Sequence, residues 1–174
     1  KIFDTAGFDY IFIETIGVGQ TEIEVMELSD IVLLVLVPGL GDEIQALKAG
    51  VMEIGDIFII NKKDLDGADR LRTEVEYVLS LKNDNVSVAD HPICMTSATQ
   101  NDGIGEAFST INRYHAGLLE QGILARRRKE RIEKLIEQQL DRLPLNELEQ
   151  LPIPRTRKEF ISKVAQMMVN QKMG

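Results

Sequence analysis

Asn61-Lys62-Lys63-Asp64 follows directly on Asp56-Ile57-Phe58-Ile59-Ile60, and residues of these types at this spacing can read a guanine base. A carboxylate at Asp64 accepts two parallel hydrogen bonds from the ring N–H and the exocyclic amino group of guanine, a donor pair that adenine lacks. Asn61 can bridge loop backbone and purine N7 with its amide, and the stem of Lys62 can cover a base face while its ammonium stays in water. Ligands of open parallel sheets collect at the carboxyl ends of strands, and these four residues begin where an apolar strand should stop. The competing reading is a plain turn, since Asn and Asp are common where a chain reverses.

Two more segments have the same form. Ile93-Cys94-Met95 reads as a short buried strand followed by Thr96-Ser97-Ala98; small residues there let the backbone approach a ligand, and the N–H groups at Ser97 and Ala98 can meet the guanine carbonyl oxygen. Tyr10-Ile11-Phe12-Ile13 is strand-like and runs into Glu14-Thr15-Ile16-Gly17-Val18-Gly19-Gln20, an acidic residue and a Gly-rich loop at a strand end. Such a carboxylate can hold Mg²⁺ directly or through water, and Gly17 can bring a backbone N–H against a phosphate. Three polar sites at three strand ends favour one nucleotide site over three unrelated turns.

With these residues in view, the chain resembles the MeaB/ArgK/MMAA-type GTPases, chaperones of adenosylcobalamin-dependent methylmalonyl-CoA mutase. The resemblance is carried by Ala6-Gly7-Phe8-Asp9, the string from Glu14 to Glu22, the segment from Gly41 to Gly50, and Asn61-Lys62-Lys63-Asp64. It implies an α/β fold with a P-loop-NTPase-like, mainly parallel sheet flanked by helices, and a C-terminal helical extension. It further implies GTP/GDP and Mg²⁺ as cofactors, the mutase as partner, a homodimer, and catalytic roles for Glu14, Gly17 and Gln20, with Glu14 at the metal. Gly41, Asp42, Glu43 and Lys48 would belong to an additional switch segment that communicates with the mutase. The chain departs from the family pattern in having no Gly-x-x-x-x-Gly-Lys-Ser/Thr. The expectation is therefore a carboxyl-terminal portion of a longer protein, with the phosphate cradle upstream of Lys1, inactive by itself as a GTP hydrolase.

Composition bounds these readings. A chain of 174 residues is long enough for one sizeable core, burying about 70% of the unfolded surface. Twenty-eight acidic against 20 basic residues give a net charge of −8, which disfavours general attraction to nucleic acid or anionic membrane and leaves a protein-binding surface as the easier inference. The single Cys94 excludes an internal disulfide and suits a reducing compartment, with a cytoplasmic location expected. The run from Ile31 to Val37 is only of strand length, far short of the roughly 18 apolar residues that a membrane span needs.

Along the chain, strands are expected near residues 10–14, 31–37, 56–60 and 92–96. Helices are expected after Gln20 toward Leu28, over Asp42–Ile54, and from about Asp66 to Leu81, with Leu71, Val75, Val78 and Leu79 on one face. This alternation predicts βαβ units and right-handed crossovers. Helices near 103–121 and 123–142 follow, then a Pro-broken stretch at Pro144, Pro152 and Pro154, and a last amphipathic helix from Arg157 to Gln171. The division expected is a GTPase part over 1–120 and a helical extension, a candidate dimerisation arm, over 121–174.

The remaining features carry plainer readings. Arg126-Arg127-Arg128-Lys129 could meet phosphates or an acidic partner, but the run continues into Glu130-Arg131-Ile132-Glu133-Lys134, whose mixed signs at helical spacing read as a solvated face. The stripe Ile132, Leu135, Ile136 and Leu140 must be buried somewhere, between two subunits or on its own domain. Cys94 reads as a core residue, and His91 and His115 as structural. Asp42 and Glu43 suit a helix cap as well as a switch. Two functional alternatives stay open: a nickel-insertion type of GTPase, which should show a His/Cys cluster, and a non-catalytic dimerisation or docking module.

Overall fold

The computed structural model describes residues 6–15, 28–39, 52, 54–81, 91–140 and 161–162, without the side chains of 137–140. Three of the apolar runs form strands, because aliphatic and aromatic residues without polar interruption suit a parallel strand covered on both faces. They are β1 (Leu33–Leu36), β2 (Ile57–Ile60) and β3 (Ile93–Met95). The sheet is parallel in the order β1-β2-β3, with Leu36 opposite Ile60 and Ile60 opposite Met95. Central β2 buries Ile57, Phe58 and Ile60, whereas edge β1 leaves Val35 exposed. Asp56, itself buried, accepts the Val32 N–H on Oδ2 at 2.9 Å and donates its own N–H to the Val32 carbonyl at 3.0 Å. This double tie aligns the starts of β1 and β2 and satisfies a carboxylate that would otherwise be costly to bury.

α1 (Ala68–Ser80) follows β2. Its Leu71, Val75 and Leu79 recur at helical spacing and pack in one cluster with Leu36, Met52, Phe58 and Ile60, so the α1 face and the sheet make one core. α2 (Ile104–Glu120) and α3 (Ile123–Leu140) come next. Gly122 separates them at φ 68° and donates its N–H to the Leu119 carbonyl at 3.0 Å, a left-handed stop that suits glycine. These three helices lie close to their sequence-predicted spans. Of the helix expected over 157–171, residues 161 and 162 are described, and both are helical. The helix after Gln20 and most of Asp42–Ile54 lie outside the described residues.

One expectation fails. Tyr10–Ile13 is not a strand: Tyr10, Ile11, Phe12 and Ile13 are exposed and outside the sheet. Apolar residues give a segment strand propensity, but a strand also needs a neighbour for its backbone hydrogen bonds. Here the segment is instead held by side chains, with the Tyr10 hydroxyl donating to Asn112 Oδ1 at 2.9 Å and the Tyr10 ring centroid 5.2 Å from that of Phe108.

The chain divides into two compact units, Lys1–Arg113 and Tyr114–Gly174. The first contains the sheet, α1 and their core. The second begins within α2, and Leu118, Leu124 and Ile161 are buried in it.

Candidate nucleotide site

Because β2 and β3 are parallel neighbours in register, the loops that leave them must meet at one edge of the sheet. The Asn61 N–H donates to the Leu36 carbonyl at 2.8 Å, Lys63 N–H to Thr96 O at 2.9 Å, and Thr96 N–H to Ile60 O at 2.8 Å. Asn61–Asp64 is thereby stitched to the ends of all three strands. Asn61 Oδ1 accepts from Ala98 N–H at 3.1 Å and from Thr96 Oγ1 at 3.3 Å. With two donors on its oxygen, Asn61 presents its NH₂ as the group suited to a purine N7. Lys62 sits at φ 57° and closes a turn in which Leu65 N–H donates to its carbonyl at 2.9 Å. A left-handed non-glycine residue is disfavoured and persists only where its surroundings impose it. Lys62 and Asp64 are both exposed.

The Asp64 carboxyl is held below the usual carboxylate range by the Ser97 hydroxyl first and then by its own backbone, against an opposing effect of desolvation, with the charge of Lys62 a lesser lowering influence. Ser97 Oγ is buried and no atom meets full hydrogen-bond geometry with it, so its influence on Asp64 is that of a nearby dipole rather than a formed bond. An exposed, ionised carboxylate is the double acceptor that guanine recognition requires.

The loop after β3 is tightly built. Ser97 and Asp102 pair as an antiparallel bridge, exchanging N–H···O bonds of 2.9 and 3.0 Å. Asn101 at φ 53° and Gly103 at φ 74° turn the chain into α2, and a Cβ at Gly103 would overlap the Met95 carbonyl oxygen. Lys63 Nζ lies 2.7 Å from Asp102 Oδ2. Thr96, Ser97 and Ala98 each donate their backbone N–H within the chain, to Ile60, Asp102 and Asn61 respectively. The sequence expectation that Ser97 and Ala98 both offer N–H groups to a ligand therefore narrows to Ala98. That residue is exposed, and its acceptor is a side-chain oxygen rather than backbone. The hydroxyl of Thr96, the Lys63–Asp102 pair and Gly103 escaped the sequence reading; the Asp102-Gly103 dipeptide is the turn signal that marks the last of them.

Of the other predicted residues, Glu14 is exposed, while Gly17, Gln20, Gly41, Asp42, Glu43 and Lys48 lie outside the described residues. Among the described residues no group of three or more His, Cys, Asp or Glu could hold a metal ion. A lone carboxylate such as Glu14 suits Mg²⁺, which is commonly bound by one or two carboxylates together with substrate phosphates. Cys94 is half-buried and burial pushes its thiol up, away from thiolate chemistry. His91 packs edge-on to Phe58 with ring centroids 6.2 Å apart, and its buried Nδ1 has no hydrogen-bond partner. In α3, Lys129 lies 3.8 Å from Glu133 one turn on, as mixed charges at helical spacing predict.

A family model described as methylmalonyl-CoA mutase-associated GTPase MeaB matches residues 1–150. The chain belongs to the MeaB family. A candidate GTPase of Pyrococcus abyssi is 44% identical over 138 residues, covering 78% of this chain and 43% of that protein. The mouse protein named methylmalonic aciduria type A homolog, mitochondrial, is 36% identical over 126 residues, 71% of this chain and 30% of its own. The crystal structure of an LAO/AO transport system kinase superposes with a TM-score of 0.65 at 27% identity, covering 78% of this chain and 44% of that one. The fold is accordingly P-loop-NTPase-like, and the chain spans less than half the length of these relatives. Both halves of the corner, Asn61–Asp64 and Thr96–Ala98, fall within the MeaB match. No helix among the described residues is long and apolar enough to cross a membrane.

Proposed function

We propose that this MeaB-family chain carries the base-reading half of a GTPase. Asp64 accepts the two guanine donors, Asn61 gives its NH₂ to N7, Lys62 lies along the base, and the Ala98 N–H turns from Asn61 to the guanine carbonyl oxygen. The observation that supports this most is the junction itself: the Asn61 amide bonded to the Ala98 loop, with Asp64 beside Ser97, at the carboxyl ends of adjacent parallel strands.

In the whole protein, Glu14, Gly17 and Gln20 would serve the phosphate end. Bound Mg²⁺ would supply neutralisation of phosphate charge during hydrolysis. Gly41, Asp42, Glu43 and Lys48 would pass the nucleotide state to an adenosylcobalamin-dependent methylmalonyl-CoA mutase, supporting cofactor loading or protection. α3 and the residues after it would form a dimerisation arm. The family's own description, a mutase-associated GTPase, supports the partner.

Calorimetric titration of residues 1–174 with GDP and ADP tests the base reading. Phosphate and metal contacts supply much of nucleotide affinity, so binding should be weak yet selective for guanine, with no hydrolysis of GTP above background. Equal affinity for the two bases would remove the assignment of Asn61–Asp64, and turnover by this chain alone would show that the phosphate site is misplaced.

A further inference from the structure

We propose that the Lys63–Asp102 ion pair is a positioning latch that holds the Asp64 carboxylate in register with the base; the proposal rests on the guanine reading above. Four residues are linked. Lys63 Nζ meets Asp102 Oδ2 at 2.7 Å, Asp102 exchanges two backbone hydrogen bonds with Ser97, whose buried hydroxyl lies near Asp64 without a formed bond, and Asp64 is bonded directly to Lys63. Lys63 is held at both ends, its backbone N–H on the Thr96 carbonyl at 2.9 Å and its ammonium on Asp102. A change in the distance between residues 63 and 102 is therefore felt at residue 64. The pair also directs charge. Lys62 and Lys63 both precede Asp64, and the Lys63 ammonium is engaged by Asp102 at 2.7 Å, which leaves Asp64 open to a neutral donor pair.

An ion pair with side chains 28% and 55% exposed does little for global stability, so its consequence should appear in selectivity rather than in folding. Guanine offers Asp64 two donors and hypoxanthine only one. The affinity ratio of GDP to IDP therefore reports how well Asp64 is aimed, and because both ligands meet the same sample, loss of folded protein cancels from the ratio.

The experiment is a double-mutant cycle on the 174-residue chain, read by chemical-shift titration of the Ala98 amide with GDP, IDP and ADP. Lys63→Gln and Asp102→Asn should each lower the GDP/IDP ratio about two- to fivefold. Their combination should be no worse than the worse single change, and Lys63→Arg should keep the wild-type ratio. A ratio unchanged in both single variants, or losses that multiply in the double variant, would overturn the latch while leaving the base reading intact. A wild-type chain with no preference for GDP over ADP would overturn the base reading itself.

Discussion

Ala98 donates its backbone N–H to Asn61 Oδ1 at 3.1 Å, so one side chain at the end of β2 fixes the loop at the end of β3. Thr96, buried beneath it, gives its hydroxyl to the same oxygen. Asn61 is thus a support for the corner through its oxygen and, in the proposed function, a reader of the base through its nitrogen. The two roles separate by mutation. Asn61→Ala leaves a buried hydroxyl and an amide without their acceptor and should cost about 1–3 kcal/mol of stability. Asn61→Asp keeps the acceptor, so it should unfold in urea near the wild-type midpoint while still losing GDP affinity, because a carboxylate repels N7. Equal destabilisation by both changes would show that the oxygen is not the supporting atom.

Gly103 should tolerate no side chain. Its φ of 74° is left-handed, and a Cβ would run into the Met95 carbonyl oxygen, a backbone atom of β3 that cannot move aside. Gly103→Ala is expected to lose about 2–3 kcal/mol, whereas Gly105→Ala, in α2 with nothing within 4 Å of a new Cβ, should be neutral or stabilising by about 0.5–1 kcal/mol. Thermal unfolding of the two variants side by side checks the pair; similar midpoints would contradict it.

How much of this was legible beforehand follows from the range of each interaction. The strands at Leu33–Leu36, Ile57–Ile60 and Ile93–Met95 and the α1 face of Leu71, Val75 and Leu79 are written in local periodicity, and they were readable. So was the place of Asn61 and Asp64, polar residues directly after the strand Ile57–Ile60. Tyr10–Ile13 misled because its composition satisfies strand propensity while the strand's existence depends on a pairing neighbour that no local pattern encodes. The Lys63–Asp102 pair and the hydroxyl of Thr96 were unreadable for a similar reason. Lys and Asp are ordinary surface residues until β2 and β3 lie side by side in register.

The stripe on α3 gives a test of assembly. Ile132, Leu135 and Ile136 are each only half-buried, and a two-fold contact is the simplest way for one chain to cover such a stripe with a second copy of itself. Changing Leu135 and Ile136 to Glu should then give a folded monomer, since charge in an apolar contact is costly. Sedimentation velocity with circular dichroism decides: a wild type already monomeric, or a double variant that unfolds without first dissociating, would place the stripe in the fold of its own chain.

The most direct test of the whole account is the base selectivity of Asp64→Asn, measured by calorimetry with guanine and xanthine diphosphates on protein that also carries a phosphate-binding loop. Asparagine replaces a double acceptor with one acceptor and one donor. GDP binding should therefore weaken by about 2–4 kcal/mol as a donor of the base is left unmatched, and XDP, which presents a carbonyl where guanine has its amino group, should bind the variant better than the wild type. Unchanged GDP affinity in the variant, with no gain for XDP, would contradict the claim that Asp64 reads the base.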